Sequence, residues 1–127
     1  MRTRSAFRPI YVRPHPMDYQ PVLGKVVAIR HLEFVGSTGV SEPAVVQVGE
    51  PVHPAGGPWW CPYQVKTQSF ERTFAMAGED SMQALILTVH VLSTELKALA
   101  RQHHGVFKQH GEPDLGFPDM HNIEGQP

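Results

Sequence analysis

Apolar and polar positions alternate in short runs between residues 25 and 76, and near residue 80 the spacing switches to that of a helix. Alternation with a period of two marks half-buried strands, whereas recurrence every three and four residues marks one apolar face of a helix. Lys25–Val35 is the first predicted strand, rich in β-branched residues. Val27 and Ile29 share one of its faces and Leu32 and Phe34 the other, so a bulge near Arg30 and His31 is expected to bring all four to the core. Turn chemistry in Gly36-Ser37-Thr38-Gly39 leads into a second strand, Ala44–Val48, with Ala44, Val46 and Val48 inward. A loop spans Gly49–Pro58. The third strand, Trp59–Thr67, puts Trp59, Cys61, Tyr63 and Val65 on the core face and leaves Trp60 pointing away, exposed. Pro62 cannot donate to a ladder, which argues for an edge position or a strand start. Phe70–Met76 is the fourth strand, after a tight turn at Gln68 and Ser69.

Asp80 followed by Gln83 has the form of a capping box and opens a predicted helix that runs to about His103. Met82, Leu85, Ile86, Val89, Leu92, Leu96 and Leu99 form its apolar stripe, and Gly105 is the expected stop. Ala84, Leu87, Val91 and Ala98 make a second, weaker stripe, which needs cover from the N-terminal arm, the C-terminal tail or another subunit. Val106 and Phe107 are expected to add a last short strand. The fold class is therefore α+β: an antiparallel meander of four to five strands packed on one long C-terminal helix.

The 127 residues fit one domain, expected at 25–118. Residues 1–24 read as a proline-rich basic arm with a short edge strand at Phe7–Val12, and 119–127 as an acidic flexible tail. Cys61 is the only cysteine, so the chain can form no internal disulfide. A lone thiol suits a reducing compartment, and neither a secretory signal nor an apolar run of membrane-spanning length is read. The expected location is the cytoplasm, with no membrane association.

Three pieces stand out together: Trp60-Cys61-Pro62-Tyr63 on a strand, Asp80-Ser81-Met82-Gln83-Ala84-Leu85 opening a helix, and Leu115-Gly116-Phe117-Pro118 near the end. In this order and spacing they resemble a family of small uncharacterised bacterial domains of unknown function. The resemblance implies a fold and a bacterial origin but no mechanism. Each piece also has a packing role to play: Gln83 as a cap, Gly116 as a turn, Phe117 as an anchor of the tail onto the core.

Chemistry-bearing motifs are sparse. No G-x-S-x-G, P-loop or G-x-G-x-x-G sequence occurs. Cys61 falls on a predicted core face among aromatics, where a thiol behaves as a small hydrophobe. No cofactor is expected. Eight histidines are many for this length, and His103, His104, His110 and His121 fall late, among Asp114 and Asp119. Imidazoles and carboxylates are metal-ligand types, which defines one alternative, a small metal-assisted enzyme. Adjacent His103 and His104 diverge by about 100° on a helix and do not readily share an ion. A second alternative is nucleic-acid binding through Arg4, Arg8 and Arg13 interleaved with Phe7 and Tyr11, against a near-neutral pI of about 6.7. The leading expectation is a non-enzymatic protein-binding or regulatory module, accessory or immunity-like, or a homodimer. Its contacts would be Trp59, Trp60, Leu87 and Val91, with Arg4, Arg8 and Arg13 as an electrostatic arm.

Overall fold

A computed structural model describes residues 20–118. Five strands, β1 (Val26–Gly36), β2 (Ser41–Gly49), β3 (Trp59–Thr67), β4 (Glu71–Gly78) and β5 (Gly105–Lys108), form one antiparallel sheet in the order β4-β3-β2-β1-β5. The helix α1 (Ser81–Gln102) packs chiefly on β4, β3 and β5, so the sheet curls until both of its edge strands reach the helix. The α+β class, the meander and the single long helix agree with the sequence pattern. The edge strand expected at Phe7–Val12 lies outside the described residues.

The main core lies between sheet and helix. Leu32, Phe34, Val46, Tyr63 and Val65 rise from the sheet to meet Ala84, Leu92, Leu96 and Leu99. The β1 bulge sits elsewhere than the alternation first implies. Register slips at Val27, between the pairs Val26↔Gly49 and Ala28↔Val48, and is regular from Ala28 to Val35. Strict alternation then carries Ala28, Arg30, Leu32 and Phe34 to the helix side and leaves Val27 and Ile29 exposed.

Pro62 is also interior rather than at an edge, since β3 lies between β2 and β4. The last β2 pair is Val48↔Tyr63 and the next contact on that side is the isolated bridge Val52↔Trp60. Pro62 falls in the lapse between them, where a missing N–H disrupts no ladder.

Helix α1 starts as its cap predicts. Gln83 N–H donates to Asp80 Oδ1 at 2.7 Å, and Gln83 Oε1 accepts from Glu79 N–H at 2.6 Å. It ends on His103; His104 takes the left-handed backbone (φ 56°) and Gly105 instead opens β5. The buried face is rotated from the expected stripe: Ala84, Thr88, Leu92, Leu96 and Leu99 are buried, while Met82 and Ile86 are exposed. Gly78 explains the rotation. A Cβ there would lie 2.5 Å from Ala84 N, so β4 and the first helical turn touch backbone to backbone. Only the small Ala84 and Thr88 fit against the sheet at that approach. Thr88 is fully buried and its hydroxyl is satisfied by the Cys61 carbonyl at 3.2 Å.

Candidate functional site

Residues beyond β5 turn back over the molecule. Gln109 and Glu112 exchange backbone hydrogen bonds, and 113–118 then runs as a strap between α1 and the helix-facing side of the sheet. An Asx turn shapes it, with Gly116 N–H donating to Asp114 Oδ1 at 3.0 Å and Gly116 at φ 78°. Leu115 and Phe117 pack on the core. Among the described residues, one hydrogen bond ties 113–118 to the rest of the chain: Arg30 Nη1 donates to Leu115 O at 2.9 Å. Arg30 also stacks over the Phe117 ring, 4.7 Å from its centroid.

The strap leaves two openings. A groove of about 400 Å³ lies between α1, β5 and 113–117, walled by Leu96, Ala100, Phe107 and Leu115 with Lys97 and Asp114 at its rim. A wedge of about 220 Å³ lies on the other side of Gly116 and Phe117, walled by Ala28, Arg30, Val46, Val48, Val89 and Leu92. Val89 continues along the helix into Ile86 (45% exposed) and Met82 (64%), one and two turns earlier on the same flank. On the sheet side, Ile29 (52%) lines the wedge, and Val26 and Val27 just before it are also exposed. Met82 and Ile86 thus form an apolar rim on the helix beside an apolar wedge that has Arg30 in its wall, while the Val27 and Ile29 side chains project to the outer face of the sheet.

The residues that sequence reasoning singled out lie elsewhere. Trp60 does point away from the helix side, but it is 8% exposed, enclosed by Val52, Ala75 and Ala77 on the outer face of the sheet. On β4, Ala77 directly opposite and Ala75 diagonal to it leave room for the indole. It is therefore a packing residue and not an exposed contact. Trp59 is half-buried and stacks with the His53 ring at 4.7 Å, while His53 Nε2–H donates to Gly57 O. Leu87 is half-buried, and Val91 is half-buried against the core. Arg4, Arg8 and Arg13 lie outside the described residues.

The late histidines do not converge. His103 stacks flat on Phe70 with centroids 3.8 Å apart, His104 and His110 both adopt positive φ, and Asp114 is engaged in the strap turn. Asp119 and His121 lie outside the described residues. Among the described residues no group of three His, Cys, Asp or Glu side chains is placed to hold a metal ion. Cys61 is buried, and burial pushes its thiol above the ordinary value, with the Thr88 hydroxyl opposing. Its Sγ contacts Gly49 O at 3.5 Å. This is an unreactive environment.

Arg30 is the residue that sequence reading passed over. The signal was present: stepping back by twos from Leu32 and Phe34 places Arg30 on the core side without any bulge.

A family model described as a domain of unknown function (DUF6968) matches residues 28–119, and the chain belongs to that family. The match starts at the wedge residue Ala28 and ends just past the strap. Comparison with curated proteins and with solved structures finds no match. No described helix is long and apolar enough to cross a membrane.

Proposed function

We propose that this chain is a non-catalytic protein-binding or regulatory module of the bacterial cytoplasm. The observation that supports this reading is the row of exposed apolar side chains on one flank of α1, Met82 and Ile86, which continues into half-buried Val89 at the wedge. Grouped exposed aliphatic residues of this kind mark contact surfaces, whereas single ones are ordinary. The contact surface thus moves from Trp59, Trp60, Leu87 and Val91 to the opposite flank of the helix. Capping and core residues hold that flank in place, so a partner meets a preformed surface.

The test is a photo-reactive amino acid placed at Met82, at Ile86 or at Val40, which is exposed at the far β1–β2 turn. Irradiation in cells of the source organism is expected to give one discrete adduct from positions 82 and 86 and none from 40. The adduct from position 82 should disappear when Ile86 is replaced by Lys. Equal labelling from all three sites, or none from any, would end this reading.

A further inference from the structure

Two guanidinium groups project from the helix-facing side of the sheet, and their surroundings differ. Arg72 is held by Glu95 at 2.7 Å. Arg30 has no carboxylate within 4.0 Å among the described residues, although it lies in a wedge walled by Val46, Val48, Val89 and Leu92. A guanidinium carries five N–H donors, and here only the donation to Leu115 O is made to the protein. A cation facing apolar walls and an open cavity attracts an anion more strongly than one in water. Its planar fork also matches a carboxylate in two-point contact. The wedge, at about 220 Å³, lies below the usual range for drug-sized ligands and so limits the occupant to a small one.

We propose that this wedge binds a small amphipathic carboxylate, such as a medium-chain or aryl-substituted acid. The carboxylate meets the free donors of Arg30, and the apolar body lies against Val48, Val89 and Leu92. Phe117 roofs the site, and because a single hydrogen bond among the described residues ties the strap to the body of the domain, it adjusts to the occupant at small cost. This rests on the interior of the wedge and not on the exposed rim, so it stands or falls apart from the protein-binding reading.

The experiment is a titration of the isotope-labelled full chain with octanoate, octanol and acetate, followed by amide chemical shifts. Octanoate is expected to give saturable shifts at Ala28, Val48, Val89 and Gly116, with octanol about tenfold weaker for want of the charged contact. Acetate, which lacks the apolar body, should give none. Arg30→Met keeps an apolar stem under Phe117; it should weaken octanoate about tenfold and leave octanol unchanged. Ala28→Trp, at an exposed position on the wedge mouth, should block both without unfolding the chain. Equal affinity for octanoate and octanol, unchanged octanoate affinity in Arg30→Met, shifts centred outside the wedge, or no saturable shift at all would each overturn the proposal. Binding that emerges only in Asp119→Asn would overturn it too, because the occupant would then be a carboxylate of the chain itself.

Discussion

Along α1, the flank carrying Ala84, Thr88, Val91 and Glu95 faces β3 and β4, whereas the flank carrying Val89, Ser93 and Ala100 faces the wedge, the groove and the strap. On the first flank the helix touches the sheet backbone at Gly78, Thr88 bonds to the Cys61 carbonyl, and Glu95 receives both the Tyr63 hydroxyl and Arg72. On the second, one guanidinium and two half-buried side chains, Leu115 and Phe117, close the gap. The curl of the sheet produces the inequality. A helix lying against β4 and β3 at one end and β5 at the other stands off from the middle strands, and the space over β1 and β2 must be filled by something else. A sealed flank fixes the fold, and a loosely filled one leaves room for a ligand or a partner.

The largest expected effect comes from forcing the sealed flank apart. Gly78→Ala places a methyl 2.5 Å from Ala84 N, where the obstacle is backbone and cannot rotate away. We expect a loss of about 3 kcal/mol in urea unfolding, at the upper end for overpacking. A loss under about 1 kcal/mol would show a helix free to slide, and the distinction between the flanks would fail.

Phe117→Ala tests the other side. The ring is only half-buried, so about 2 kcal/mol is expected, less than for a fully enclosed phenylalanine. Amide exchange should rise at Leu115 and Gly116 while Cys61, Val65 and Thr88 stay protected relative to the new global stability. Equal loss of protection on both flanks would make the strap part of the cooperative core. Gly116→Ala is gentler. It meets φ 78° and brings a Cβ to 3.0 Å from Arg30 Nη1, so about 1 kcal/mol is expected, together with a weakened Arg30–Leu115 contact. Loss of order confined to the strap is the signature to seek by amide exchange.

The meander and the helix start were far more legible in the sequence than either flank of the helix: Ala84 and Val91 were assigned to a stripe awaiting cover, yet Ala84 is buried against β4 and Val91 packs on the core. The strand at 59–67, the turn glycines at 36 and 39, and the Asp80–Gln83 cap each act locally, so their positions carried over to the structure, although Trp60 is buried and Pro62 interior. Arg30 depends on where a single extra residue enters β1. Placing the bulge near Arg30 and His31 instead of at Val27 reverses the sides of Val27, Ile29 and Arg30 at once, because side-chain direction has a period of two. Met82 and Ile86 depend on helix rotation, which is set by the Gly78–Ala84 approach and not by the helix's own apolar count. The strap has no periodicity at all. Its Leu-Gly-Phe-Pro sequence hinted at an anchored tail, but nothing in it named Arg30 as the anchor point.

The smallest effect probes how dry the sealed flank is. The Tyr63 hydroxyl donates to Glu95 Oε1 at 3.3 Å; burial first, then the Glu95 charge, push its pKa well above the ordinary 10.0, with Arg72 opposing. A tyrosine raised in this way stays protonated in the folded chain where the unfolded chain releases its proton. Its contribution is therefore complete below about pH 10 and declines as pH rises further. Cys61, raised from 9.0, adds a decline of the same sign that begins slightly earlier. Tyr63→Phe removes the first of these and keeps the second. At pH 7 the variant should lose about 0.5–1 kcal/mol with the hydrogen bond. Urea midpoints measured upward from pH 9 should show the gap between the proteins narrowing beyond pH 10 and then reversing, because phenylalanine has no proton to hold. A gap that stays constant to pH 11 would mean that the hydroxyl ionises as freely in the folded chain as in the unfolded one. Water would then reach Tyr63 between α1 and β3, and that flank would be no better closed than the wedge beside Arg30.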